Sequence, residues 1–186
     1  MEGLPASWEG EVIDAQGGHI CPGFIDAHCH LGMFGDAVGF ESDDGNEETD
    51  PCTPQLRAID GVNPLDRCFS EARAAGVTTV LTGPGSANPI AGQFAALKTD
   101  GRWVDAMVVR APVSMKLALG ENPKQVYHHR DETPVTRMAT AAIIRENLRK
   151  AVEYGEKMDR AAQDEETEAP DYDAKLEALL PVIRGE

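Results

Sequence analysis

Two histidines spaced i, i+2 close the run Pro22-Gly23-Phe24-Ile25-Asp26-Ala27-His28-Cys29-His30. Pro22-Gly23 sets a turn and Phe24 and Ile25 are strand formers, so residues 21–31 read as a buried strand. Side chains alternate between the faces of a strand. His28 and His30 therefore share one face with Asp26, and Cys29 points to the other. Two imidazoles a few ångströms apart suit one divalent metal ion. The bland alternative is a pair of partly buried histidines without a metal. Gly32 and Gly35 follow at once, so the chain leaves the strand into a flexible loop. Polar ligands at the C-terminal end of a strand, followed by a glycine loop, are how an α/β barrel builds its active-site rim.

The rest of the chain must position that strand. Residues 32–62 form a long loop rich in Gly, Asp, Glu and Pro, and loops of this length are usually functional or disordered. Asn63 is placed to cap a helix with Pro64 at its first position. Leu65, Cys68, Phe69, Ala72 and Ala75 follow helical spacing, and Gly76 stops the helix. Residues 77–81 then read as a β-branched strand, so helix and strand make half of a right-handed β-α-β unit. Residues 83–89 form a loop without the lysine of a phosphate-binding motif. It is either a plain connection or, at a strand's C-terminal end, a substrate contact. Residues 104–109 read as a further strand. Thr133 and Pro134 are expected to start a long helix to about Ala162. An acidic linker over 163–172 follows, and Asp173 caps a last helix that Pro181 bends or shortens.

Composition narrows the functional classes. The chain has 186 residues and a net charge of −15. Residues 41–50 carry six acids and no base, and residues 156–186 carry ten acids against four bases. This balance argues against nucleic acid and anionic membrane surfaces as partners. The acidic runs read as solvated surface, with a role toward metals or cationic substrates as the alternative. Cys21, Cys29, Cys52 and Cys68 form no C-x-x-C pair. The N-terminus lacks the basic and apolar regions of a signal peptide, and no apolar run approaches the ~20 residues of a membrane span. A reduced, cytoplasmic setting is the expectation.

The run ending in His28 and His30 resembles the first barrel strand of the amidohydrolase superfamily. Its flanks agree: residues 12–21 resemble the strand and turn that lead into that barrel, and Gly76-Val77-Thr78-Thr79-Val80-Leu81 resembles its second strand. Ser114 to Lys124, with Gly120-Glu121-Asn122-Pro123 at its centre, and Thr133 to Met138 resemble the imidazolonepropionase-like branch. The resemblance implies the N-terminal portion of a TIM-like (β/α)8 barrel. Residues 1–20 would be a remnant of an N-terminal β-domain and its lead-in, and 21–186 the first part of the barrel. A complete barrel takes roughly 250 residues, so the chain is expected to be a piece of a longer enzyme.

By this resemblance His28 and His30 bind a divalent metal, most readily zinc. The reaction implied is hydrolysis of a C–N bond, other than a peptide bond, in a small cyclic or acyl amide. A metal-activated water attacks the carbonyl. The remaining histidine ligands and the aspartate base of such enzymes would lie on later strands, and nothing in this chain matches them. Lys116 is a candidate for the carboxylated lysine that bridges two metals in many such enzymes. Its alternative is a lysine snorkelling from a strand end or pairing with Glu121. Glu121 is itself a candidate carboxylate ligand, or else caps the turn it sits in. His128 and His129 read as surface-loop residues, because neighbours on a strand cannot face one site. His19 reads as structural, and Trp8 and Trp103 as packing residues. The competing reading is a catalytically incomplete fragment that self-associates or pairs with the missing C-terminal half of the barrel.

Overall fold

The structure is a computed structural model that describes residues 9–164 and 166–186. Trp8, and with it the first eight residues of the expected lead-in, lie outside the described residues. Residues 9–23 hold a turn, closed by Gly18 N–H to the Ala15 carbonyl at 2.8 Å, and no strand. The lead-in strand expected around residues 12 and 13 is therefore not formed.

Four strands make one mixed sheet in the order β1 (Phe24–Cys29), β2 (Val77–Thr82), β3 (Ile90–Lys98) and β4 (Val108–Leu117). β1 and β2 are parallel, with Asp26 opposite Val80 and Cys29 opposite Thr82. α1 (Ala58–Gly61) and α2 (Arg67–Ala74) lie between them in sequence, so the expected β-α-β unit is present. β3 then runs antiparallel to β2, and β4 antiparallel to β3. This corrects the all-parallel pattern expected of a partial barrel. The short connections over 83–89 and 99–107 explain it, because a parallel return needs a dozen or more residues.

Several element boundaries also move. α2 starts at Arg67 and is capped by Asp66, whose carboxylate accepts from Cys68 N–H at 2.9 Å. Asn63 instead accepts from Leu65 N–H and shapes the turn before the helix. Gly76, at φ +88°, ends the helix as expected. β3 has no counterpart in the sequence reading. Its run Ile-Ala-Gly-Gln-Phe-Ala-Ala-Leu-Lys is buried on both faces and so shows no alternation. Residues 104–107 form a one-turn helix, α3 (Val104–Met107), before β4 begins. Residues 121–128 are a helix, α4 (Glu121–His128), and not a surface loop. α5 spans Arg137–Gln163, capped by Thr136, and α6 spans Ala174–Arg184, capped by Asp173 as expected. No helix among the described residues is long and apolar enough to cross a membrane.

Two apolar clusters hold these elements. Met33, Ala58, Val62, Phe69, Val80, Ala95, Leu97 and Met107 pack α1, α2 and α3 against the sheet, with Cys29 and Leu31 at the margin. Cys52, Ile90, Ile144, Ala151 and Leu179 pack α5 and α6 against the far end of β3. A buried polar chain links the layers: Tyr127 Oη donates to Asn88 Oδ1 at 2.7 Å, and Asn88 Nδ2 donates to Thr53 Oγ1 at 3.0 Å. β1, by contrast, is an edge strand with Phe24 60% and Ile25 67% exposed. The expectation of a buried strand fails there, because no other element among the described residues covers either side chain.

Candidate functional site

The geometry begins where β1 meets the end of β2. Thr82, fully buried, donates its hydroxyl to the Leu31 carbonyl at 2.7 Å. One residue on, the Gly83 carbonyl lies 2.7 Å from His30 Nδ1. A carbonyl only accepts, so Nδ1 carries a proton, and in the neutral ring the lone pair is on Nε2. His28 is held from below by the Asp26 carboxylate, which accepts from the His28 backbone N–H at 3.1 Å. The alternation of β1 acts as expected. His28 and His30 project together, with ring centroids 5.2 Å apart, and Cys29 packs toward the first apolar cluster.

β3 and β4 supply the other walls. Phe94 stacks on His28 at 5.4 Å between ring centroids and 15° between planes, and meets His30 edge-on at 6.2 Å. Phe34 closes on His30 from the loop after β1, at 6.1 Å. Lys116, near the end of β4, sets its Nζ 3.2 Å from His28 Nε2 and 6.0 Å from the Phe94 ring centroid. An ammonium can only donate, so the His28 Nε2 lone pair is its acceptor. Burial pushes the His28 imidazole below its usual 6.5; the Lys116 and His30 charges add to this, and Asp26 opposes it. Desolvation likewise lowers Lys116 from its usual range. Both shifts favour the neutral forms, and a neutral imidazole is the form that ligates a metal.

The donor set fits a divalent ion in part. A histidine whose second ring nitrogen is pinned to a carbonyl is oriented as metal-binding histidines are, and His30 meets that condition. Two imidazoles are nevertheless half of a four-coordinate set. Among the described residues no three His, Cys, Asp or Glu side chains gather at one point. Glu121 thus does not join the pair; it opens α4 as an exposed residue. Lys116 does join it, with His28 and not Glu121 as its partner.

The other candidates lie elsewhere. His128 and His129 sit exposed at the C-terminal end of α4, and His19 lies in the exposed lead-in. Trp103 is exposed ahead of α3, which corrects the packing role expected of it. The 83–89 loop is tied to the acidic segment by Gly85 N–H to the Gly45 carbonyl and Ala87 N–H to Asn46 Oδ1. That segment is partly paired, through Glu48 with Arg130 at 2.9 Å and Asp50 with Lys175. A groove of about 860 Å³ between β4 and α6 contains neither histidine of the pair. Phe94 and Gly83 were not legible as site residues. Phe94 lies on the strand without periodicity, and Gly83 acts through its backbone.

No protein-family model matches the chain. It is similar to an amidohydrolase, tasK, of Hapsidospora irregularis, at 34% identity over 204 residues that cover 98% of this chain and 21% of that protein. It also superimposes on the crystal structure of an amidohydrolase from Thermotoga maritima MSB8, with a TM-score of 0.82 and 43% identity. That match covers 94% of this chain and 48% of the other. The chain thus spans about a fifth of the one relative and about half of the other.

The electrostatics of the pair predict a titration. In metal-free protein His28 is expected to titrate below 6.5, and Lys116→Met to move its midpoint upward, because a neighbouring cation that disfavours the imidazolium is removed. Imidazole resonances followed by NMR across pH check this. A midpoint unmoved by Lys116→Met would show that the two side chains do not meet.

Proposed function

We propose that the chain is part of an amidohydrolase-superfamily enzyme and supplies the first metal-binding strand of a hydrolase acting on a small cyclic or acyl amide. The bond cleaved is a C–N bond other than a peptide bond. The observation that carries this reading is the convergence of His28, His30 and Lys116, with rings 5.2 Å apart and Lys116 Nζ 3.2 Å from His28 Nε2. The names of both relatives support the hydrolase class, and the likeness of residues 114–124 to the imidazolonepropionase-like branch supports a small amide as substrate. We read the parallel β1–β2 pair with α2 as the first unit of a TIM-like barrel.

A divalent ion, with zinc the best match to imidazole donors, would lower the pKa of a water it binds, to about 7 in favourable sites, and so supply a nucleophile at neutral pH. His28 and His30 would hold that ion. His30 brings a lone pair whose direction is set by the Gly83 carbonyl. His28 brings one that Lys116 shares in the absence of metal. Lys116, as a desolvated amine, is poised to add to carbon dioxide: its nitrogen forms a bond to carbon and releases one proton, leaving a carbamate. That anion would replace the contact between Lys116 and His28 with an oxygen ligand and remove a cation from beside the metal.

In the whole protein, His28→Ala combined with His30→Ala is expected to abolish stoichiometric metal and reduce amide turnover to background. Elemental analysis and assay of the purified variant check this, and a variant that keeps its metal would remove the assignment. The uncovered edge of β1 is, in this reading, where further barrel strands pair. On that basis the isolated 186-residue chain is expected to self-associate without turnover in gel filtration and assay, because an open sheet edge presents unpaired N–H and C=O groups. A monodisperse, active monomer would contradict it.

A further inference from the structure

Phe94 is 3% exposed, yet it belongs to neither apolar cluster. Its ring is used on the site side of the sheet instead. It lies nearly flat on His28, edge-on to His30, and 6.0 Å below the Lys116 ammonium nitrogen. Gly83 completes the arrangement. A Cβ built there would run into the Phe94 ring at Cγ and Cδ2, so this position has room for the ring only as glycine. The same Gly83 offers the carbonyl that fixes His30.

We propose that Phe94 is a positioning residue, the rigid platform that sets the spacing and tilt of His28 and His30, and that Gly83 is glycine because the platform fills its side-chain space. The proposal rests on the reading of His28 and His30 as metal ligands. The physical need is specific. Imidazoles at the end of an edge strand can swing about χ1 and χ2, and a site of two ligands from one strand is only as well defined as what locks those rotamers. His30 has a backbone partner at Nδ1. His28 is exposed, and its ring is met by Lys116, by His30 and by the Phe94 ring beneath it. A flat aromatic face supports an imidazole lying parallel to it, and an aliphatic side chain of similar bulk does not.

Two variants of the full chain test this. Phe94→Leu keeps apolar bulk but removes the flat face, and Gly83→Ala keeps Phe94 but forces its ring to move. Three quantities are followed: the ring-nitrogen tautomers of His28 and His30 by NMR without metal, zinc affinity by competition with a chelator, and the urea midpoint. The expected result is an Nδ1-protonated tautomer for both rings in the wild type, a tautomer mixture for His28 in each variant, and zinc binding weakened by about tenfold or more. A purely structural role would move the urea midpoint alone. The proposal is overturned if both variants keep the wild-type tautomer and zinc affinity. If Phe94→Leu fails to fold, Gly83→Ala decides by the same criteria. If the wild type binds no zinc, the metal reading falls, and the tautomers still decide whether Phe94 holds the pair.

Discussion

The hydrogen bond from His30 Nδ1 to the Gly83 carbonyl is the contact on which the rest of the site depends. It joins the end of β1 to the end of β2, one residue after the Thr82 hydroxyl has captured the Leu31 carbonyl. Because a carbonyl cannot donate, the bond also selects the tautomer: the neutral ring carries its proton on Nδ1 and its lone pair on Nε2. Strand alternation then carries His28 to the same side. The parallel pairing of β1 with β2 thus sets both the position of the two imidazoles and which nitrogen of His30 faces the Gly83 carbonyl.

Charge makes the arrangement consistent with metal binding and poor at anything that needs two cations. His28 Nε2 and Lys116 Nζ are 3.2 Å apart; burial, with the Lys116 charge beside it, pushes His28 toward neutrality, and desolvation does the same for Lys116. An ion arriving at His28 thus meets a ring whose neutral, ligating form is favoured. It also meets Lys116, whose cation opposes it unless the amine is neutral or converted to an anion. The acidic surface does not take part directly: Glu48 and Asp50 are engaged by Arg130 and Lys175, and such exposed pairs are worth about 0–1 kcal/mol each.

Much of this was legible in the residues. The i, i+2 histidines, the turn before them and the glycines after them place a ligand pair at a strand end, and the structure puts both rings on one face. Lys116 was visible as a basic residue in an apolar run, but its partner was not, since its reach to His28 depends on β3 and β4 folding back antiparallel. β3 escaped detection because a strand covered on both faces has no period of two, and its alanines and Gly92 carry no strand preference. Phe94 was lost with it. The exposure of β1 was also hidden: a run of Phe and Ile before two histidines reads as buried, and only the tertiary arrangement shows that no element among the described residues covers it. Trp103, expected to pack, is exposed for the same reason, while Tyr127 is fully buried against Asn88.

The proposed function stands or falls with His28 and His30 holding one metal ion together. Anomalous diffraction at the zinc absorption edge, on crystals of the zinc-loaded protein, tests it most directly. The account predicts a single strong peak ligated by both imidazoles, with His30 still bonded through Nδ1 to the Gly83 carbonyl. A peak ligated by other residues, or by only one of the two histidines, would contradict it.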